Sequence, residues 1–512
     1  MKPHSLIFAL FLAVSAAAAL SRAACDVDST FAANGLRTYS SPSGGSAAAG
    51  NDLLVLSDGR LLVAGGGLNA GGDKDAAWWV LDSAGTLIAS ASYDGLWVAG
   101  KNEEFLAAAQ APGGGPIYLA GYASDGAGNT SAVLARLNFP ALTLDTSFGN
   151  ALGSAGHVTV PAGTSATGVA VDSSGRAYTL EGGSLTRWTT SGALAGTFDS
   201  SFGGGSYQFD AAGQGQDLQI DGAGRLVVAG AVAGGVALWR VRQNASLDPS
   251  FGTAGKVSVA VATLASFNAV LVEAGDGVLA TGFAYDPVAP KNHWVMMRLD
   301  AQGQPRAGFG TAGLAQGAEQ SNLFAIEGGN GALVNTDGTL LMTGIGPNAV
   351  SGYASLWHLL GSGALDISSG SYEWQFGSAP GAMIRPRNAG ANAYATGFVG
   401  TGMALWRLAA CGIPPAPAAI VPSGTSANRA TAFPSPARDH VTFALQLDQA
   451  ADVRLEVYDE RGVRLSSDSR SFGAGTLNWR LDLSGFAPGV YLYRLKPSAG
   501  STPEPGKFVV RP

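Results

Sequence analysis

The chain has 512 residues, 74 of them glycine, with 13% charged side chains and a formal net charge of −7. That length holds more than one domain, and the glycine-rich, charge-poor balance suits short strands and tight turns rather than long solvated helices. No basic stripe is present to release phosphate counterions, which excludes a nucleic-acid partner.

Residues 1–24 read as a signal peptide. Lys2 and His4 precede the apolar run Leu6–Leu20, and Ser21-Arg22-Ala23 fits a small-x-small cleavage site. Arg22 stands three residues before Cys25, where lipidation of that cysteine would want an apolar residue. No later stretch approaches the roughly 18 apolar residues of a membrane span. The expected product is an exported, soluble monomer with no transmembrane segment in the mature chain.

From residue 25 to residue 411 two phrases alternate. One is "LDTSFG" at Leu144–Gly149, "FDSSFG" at Phe198–Gly203 and "LDPSFGTAGKV" at Leu247–Val257, with "FGTAGL" at Phe309–Leu314 and a degraded copy at Val27–Leu36. The other is "DGRLLVAGG" at Asp58–Gly66 and "GAGRLVVAG" at Gly222–Gly230. Together they define a unit: an Asp/Asn-Gly turn, a strand ending in Ala/Thr-Gly, a loop, a second strand such as Ala237–Val241, then the Asp-x-Ser-Phe-Gly phrase leading into a further strand. About seven units recur at a period of about 55 residues, which signals a propeller or a solenoid. The strands are short, and no amphipathic helical period lies between them, so the array is predicted to be an all-β propeller of about seven blades.

The ends of the array predict a closed ring. The last unit stops at "ALWRLAAC", Ala404–Cys411, without its Asp-x-Ser-Phe phrase, while an orphan copy of that phrase stands alone at Val27–Phe31. An N-terminal strand would complete the last blade. Cys25 and Cys411, the chain's two cysteines, flank that join. In an oxidising compartment such a pair is expected to form a disulfide rather than a metal or redox site. Closing so long a loop stabilises by roughly 5 kcal/mol in chain-entropy terms.

Residues 412–433, "GIPPAPAAIVPSGTSANRATAF", form a Pro/Ala/Ser linker that cannot build a core. Residues 434–512 then alternate in "HVTFALQL" and "ADVRLEVYDERG", with "TLNWRLDL", "GVYLYRLK" and "KFVVR" as later strands. They predict a small Ig-like antiparallel β-sandwich of about 80 residues.

Both regions carry a resemblance. On Leu247–Gly255 and Asp58–Gly65 the repeat resembles the bacterial delta-60 repeat family, which implies a propeller-like fold in secreted or surface proteins and brings no catalytic set. On "FPSPARD" (Phe433–Asp439), "VYDERG" (Val457–Gly462), "GVYLYRL" (Gly489–Leu495) and "GKFVV" (Gly506–Val510) the last domain is similar to type IX secretion (type A) C-terminal sorting domains and to the sandwich of flagellar hook-capping proteins. That similarity implies export and anchoring, or an accessory module in a host without the machinery.

Most repeat residues have a structural role to fill. Asp28, Asp145, Asp199 and Asp248 are expected to cap turns rather than form a ring of ligands. Phe31, Phe148, Phe202, Phe251 and Phe309 are expected between blades, as are Trp79, Trp239, Trp357 and Trp406, which would suggest stacking on sugars only if exposed together. Arg136, Arg187, Arg240, Arg298, His358 and Arg407 fall at the next position and are expected to pair with the turn aspartates rather than line the channel.

The irregular loops leave more room for function. "NAGGDKDAAW" and "SDGAGNTS" hold Asp73, Asp75, Asp125 and Asn129, oxygen ligands that suit Ca²⁺ without matching EF-hand spacing. No other cofactor is implied. His157, His293, His358 and His440 are not at metal-ligand spacing, and no Gly-x-Ser-x-Gly, Walker or His-Glu-x-x-His motif occurs, so a binding protein is favoured over an enzyme. The expected function is a secreted or surface-displayed propeller holding an extracellular glycan or protein on one face or in its channel. A propeller hydrolase or lyase on an extracellular polymer, and a structural envelope protein without ligand, are the alternatives.

Overall fold

The computed structural model describes residues 27–510 except 29, 33–34, 151–153, 161–163, 193–194, 211–212, 263, 287–290, 318–327, 336–337, 347–352, 367–372, 377–379, 390–391, 409–430, 434–439, 448, 459–463, 474, 488 and 499–505. The signal peptide, the body of the linker, Cys25 and Cys411 lie outside the described residues. The chain divides into two compact units, Met1–Ala419 and Ile420–Pro512.

Seven four-stranded antiparallel sheets make up the first unit. Blade 1 is Gly44–Val55, Leu61–Asn69, Lys74–Leu81 and Leu87–Tyr93; blade 2 is Glu103–Gln110, Ile117–Ser124, Thr130–Leu137 and His157–Val160. The same succession repeats in blade 3 (from Ala166), blade 4 (from Gln214), blade 5 (from Leu264) and blade 6 (from Gly328). Blade 7 takes three strands from Gly381–Ala389, Asn392–Val399 and Gly402–Leu408, and its fourth is Leu36–Tyr39 from the other end of the chain. Leu36 stands opposite Trp406 and Tyr39 opposite Met403. First strands touch first strands around the ring, and the first strand of blade 7 touches that of blade 1. The ring is closed as the orphan phrase predicts, with the closing strand lying just after that phrase.

A sheet buries little alone; the apolar surface here lies between sheets. Seven hydrophobic clusters match the seven blade junctions. Trp78, Phe105 and Leu119 join blades 1 and 2, and Phe31, Trp79 and Leu405 join blades 7 and 1. Trp79, Trp239, Trp357 and Trp406 are all buried, as are the five repeat phenylalanines, so none forms a sugar-stacking surface.

The recurring Ala/Thr-Gly has a steric cause. A Cβ at Gly65, Gly121, Gly230, Gly282, Gly344 or Gly397 would stand 1.9 Å from a carbonyl oxygen of the adjacent first strand. Five of these glycines pair with the residue directly before a bulge in that strand, where one extra residue is inserted, and Gly397 stands one residue further off. In blade 3 Glu181 occupies the glycine position, opposite Ala166.

The repeat arginine and aspartate form the second tie between blades. Arg240 donates from Nε to Asp248 Oδ2 at 2.9 Å and from Nη1 to the carbonyl of Ala301 in the next blade at 2.6 Å. Its guanidinium lies 4.6 Å from the centre of the Phe251 ring. Asp248 Oδ1 caps its own turn through the Ser250 amide at 3.2 Å. Burial raises the Asp248 pKa, but the Ser250 hydroxyl and amide and the charge of Arg240 outweigh it and hold the value at about 2. Arg136 with Asp145 and Phe148, and Arg407 with Asp28 and Phe31, repeat the arrangement. In blade 5 the phrase has lost its aspartate, and Glu273 from a different turn meets Arg298 at 2.6 Å instead.

The second unit is a two-sheet antiparallel sandwich. Thr431–Phe433, His440–Leu447 and Gly475–Asp482 form one sheet; Arg464–Phe472, Ala451–Tyr458, Gly489–Pro497 and Gly506–Val510 form the other. Phe443, Val453, Leu455, Trp479, Tyr493 and Phe508 fill the space between.

Arg240→Ala removes one partner of a buried, hydrogen-bonded ion pair and is expected to destabilise the propeller by about 3–5 kcal/mol. Urea unfolding of the purified chain checks this, and a loss below about 1 kcal/mol would show that the staple is incidental.

Candidate functional site

The first strands pack against one another around the centre of the ring, and each carries one bulged residue: Asn51, Leu106, Thr167, Gln216, Asn268, Asn330 and Arg385. Several tie each blade to the next. Asn51 Nδ2 donates to Phe105 O at 2.9 Å, and Asn268 Nδ2 donates to Gly329 O at 3.3 Å. Arg385 in blade 7 meets Asp217 in blade 4 at 2.5 Å. Those blades are not neighbours in the ring, so this ion pair spans the channel. Arg385 holds φ at +39°, a strained value for a side-chain-bearing residue. Gly331 makes room for the turn, since a Cβ there would stand 2.4 Å from Pro386 Cδ. Arg387 pairs with Asp52 at 3.1 Å. The channel's charges are thus spent on one another, which turns attention to the rims.

One rim carries the Asp-Gly turns and the Asp-x-Ser-Phe phrases, whose Asp28, Asp145, Asp199 and Asp248 are engaged in the staples. The opposite rim carries the loops entering each first strand and the hairpins joining each second strand to its third. Over blades 1 and 2 three of these loops meet. Residues 94–102 lead from blade 1 into blade 2, 69–74 is the hairpin of blade 1, and 124–130 is the hairpin of blade 2. Asn102 holds them together, its Oδ1 accepting from the Lys74 amide at 2.9 Å and its carbonyl accepting from the Ser124 amide at 2.9 Å. Asp94 Oδ1 accepts from the Gly100 amide at 2.6 Å and closes the middle loop on itself.

Two adjacent glutamates form the base of this platform. Glu103 is wholly buried, and its Oε1 accepts the amides of Gly95 at 3.1 Å and Trp97 at 3.4 Å. Its Oε2 is buried without a hydrogen-bond partner among the described residues. Burial drives the Glu103 pKa to about 7 against the pull of those amides, and Asp94 adds to the rise. Glu104 points to the other face of the strand, where it takes Lys74 Nζ at 2.8 Å and Asn51 Nδ2 at 2.9 Å. Leu96 is buried between the blades, while Trp97 beside it is 39% exposed and Val98 36%. Among the tryptophans whose side chains are described, Trp97 alone is exposed.

The residues expected to suit Ca²⁺ divide among these loops. Asp75 is buried in its strand and accepts from Asn69 Nδ2 at 2.9 Å. Asp125 and Asn129 close the blade 2 hairpin: Asp125 Oδ1 accepts the Ala127 amide at 2.7 Å, and Oδ2 accepts Asn129 Nδ2 at 2.6 Å. Asp73 lies beside Gly100, whose added Cβ would be 3.9 Å from Asp73 Oδ2. Among the described residues no three of His, Cys, Asp and Glu are grouped as metal ligands. Repeat analysis passes over Trp97, Glu103 and Glu104. The sign that points to them is the loop itself, the longest joining blade to blade before the repeat phrase first becomes regular, with a tryptophan outside every repeat position.

A closed ring of seven sheets, followed along the chain by a separate sandwich, defines an all-β propeller protein equipped with a C-terminal domain. Comparison with known families gives both parts. Residues 431–511 match the secretion system C-terminal sorting domain, and residues 115–148 match a β-propeller domain of unknown function. The protein is therefore secreted or displayed at the cell surface. No curated protein matches the chain. Among solved structures, the chain is similar to U3-55K at 11% identity, over 72% of this chain and 98% of that one, with a TM-score of 0.43. It is similar to Sqt1 of Chaetomium thermophilum at 13% identity, over 73% and 98%, with a TM-score of 0.39. PorZ, a surface component of the type-IX secretion system of Porphyromonas gingivalis, aligns at 12% identity over 88% of this chain and 68% of that one, with a TM-score of 0.32. Likenesses this distant carry no activity over.

Glu103 and Glu181 are both buried carboxyls raised by burial to about 7, Glu181 against hydrogen bonds from Thr179, Thr186 and Ser184. Since the folded value exceeds the ordinary 4.5, their contribution is fully present below that pH and lost as pH rises through about 7. The melting temperature should fall from about pH 5 to about pH 8, and a Glu103→Gln/Glu181→Gln double variant should shrink that fall by about 3 °C or more. An unchanged slope would place the two carboxyls outside the linkage.

Proposed function

We propose that the propeller is a surface-displayed or secreted binding module for an extracellular glycan or protein, and that the C-terminal sandwich directs its export and anchoring. One observation carries this reading. The repeat's aspartates, arginines, phenylalanines and tryptophans are engaged in caps, staples and inter-blade packing, while an exposed tryptophan rides on a loop held from beneath by a buried glutamate. A rigid ring that spends its repeated chemistry on itself and presents irregular loops is a scaffold for recognition.

The domain plan supports that use: a signal peptide at 1–24, the propeller at 25–411, a linker from 412 and the sorting domain at 434–512. The last three residues of the expected 412–433 linker, Thr431–Phe433, already pair as a strand of the sandwich that 434–512 completes. Cys25 and Cys411 form a disulfide in this reading. Val27 bridges Leu408 in antiparallel fashion, which ties the chain two residues after one cysteine to the chain three residues before the other.

Two experiments test the reading. Deleting residues 434–512 should leave a cooperatively folding propeller that is no longer delivered to its surface or extracellular destination; a truncated chain that fails to fold would refute the division. A thiol-reactive probe on denatured, unreduced exported protein should find no free thiol, and two reactive thiols would eliminate the disulfide.

A further inference from the structure

We propose that the three-loop platform over blades 1 and 2 is a glycan-binding site that takes an uncharged pyranose ring on the face of Trp97. This rests on the reading of the propeller as a binding module and gives that module a place and a ligand class.

The argument begins with the indole. The other tryptophans with described side chains are buried at blade junctions or in the sandwich core, so Trp97 is held out against that pattern. It is not left loose. The Trp97 and Gly95 amides rest on Glu103, Leu96 is anchored between the blades, and Asp94 ties off the loop at Gly100. A loop whose backbone is held before the ligand arrives loses less entropy on binding.

The ligand class follows from what surrounds it. An aromatic face is electron-rich, and the axial C–H bonds of a pyranose present weakly positive hydrogen to it. The hydroxyls of such a ring point outward at its edge, where they meet polar groups. Asp73 supplies one: it is half-buried beside Gly100, and its carboxylate accepts no hydrogen bond from the described residues. Lys101 supplies another, lying against the blade 2 hairpin where a Cβ at Gly126 would meet its Cδ at 2.6 Å. Lys74 is neutralised by Glu104, and Asp73, Asp94 and Asp125 outnumber Lys101, so the rim is net negative, which disfavours uronic acids, sulfated sugars and phosphate-bearing polymers.

Size argues against a protein partner at this spot. The exposed apolar surface is Trp97 with Val98 and Ala99, three residues where a stable protein interface buries roughly 800 Å² per partner, somewhat more than half of it apolar. One sugar ring with hydrogen bonds at its edge is what this patch covers.

The test uses the full exported chain on an array of neutral and acidic oligosaccharides of bacterial-surface and plant-cell-wall type, followed by titration calorimetry with the best-bound neutral oligosaccharide. Trp97→Ala should weaken that binding at least about tenfold while leaving the melting temperature unchanged. Asp73→Ala should weaken it severalfold, and Leu87→Ala, an exposed residue on the outer strand of blade 1, should bind as the unaltered chain does. Neutral-glycan binding that survives Trp97→Ala would overturn the platform and leave the binding module standing. Binding confined to acidic glycans would overturn the uncharged ligand. Silence of the whole array, or a protein partner lost with Trp97→Ala, would overturn the glycan class.

Discussion

The guanidinium that reaches from one blade to the next is the interaction on which this propeller depends. Each sheet has two apolar faces and too few residues to bury either by itself, so stability must come from the joints. The hydrophobic clusters fill those joints, but apolar contact is non-directional and fixes no register. Arg240 supplies direction. It is neutralised by an aspartate of its own blade, lies over the phenylalanine of that blade's turn, and spends its remaining donors on Ser250 and on a carbonyl of the following blade. Turn, strand and neighbour are thereby locked through one side chain.

This explains why the sequence is legible where it repeats. The Asp-x-Ser-Phe phrase is a list of the staple's parts, and the Ala/Thr-Gly ending records a point where a carbonyl oxygen leaves no room for Cβ. Blade number, ring closure and the separate sandwich all follow from such local requirements. Where the requirement is met by other means, the pattern degrades but the structure does not. Glu273 replaces the missing aspartate from a turn far away in sequence, and Glu181 stands at a glycine position with its carboxyl satisfied by Thr179 and Thr186.

The platform was illegible for the complementary reason. Glu103 and Trp97 obey no repeat, and nothing in their spacing announces that one supports the other across six residues. The Arg385–Asp217 pair is likewise invisible along the chain, because it joins blades related only by closure of the ring. Features that depend on three-dimensional convergence leave no periodic trace. They fall where the repeat is weakest, which is also where a scaffold is free to vary.

The strand Leu36–Tyr39 has a bearing on time as well as on space. Among the described strands it is the first to be synthesised, yet its partner Gly402–Leu408 is the last strand of the ring. Until more than three hundred intervening residues have been made, its hydrogen-bonding edge has nothing to pair with, and Asp28 has no Arg407 to meet. The joints on both sides of blade 7 draw on that last strand, through Trp406 and Leu408 toward blade 6 and Met403 and Leu405 toward blade 1, so the ring's completion waits on a segment that directly precedes the linker and its sorting domain. A chain interrupted anywhere upstream is an open arc with one unfinished blade, and possession of the last strand is what distinguishes a whole molecule from a fragment.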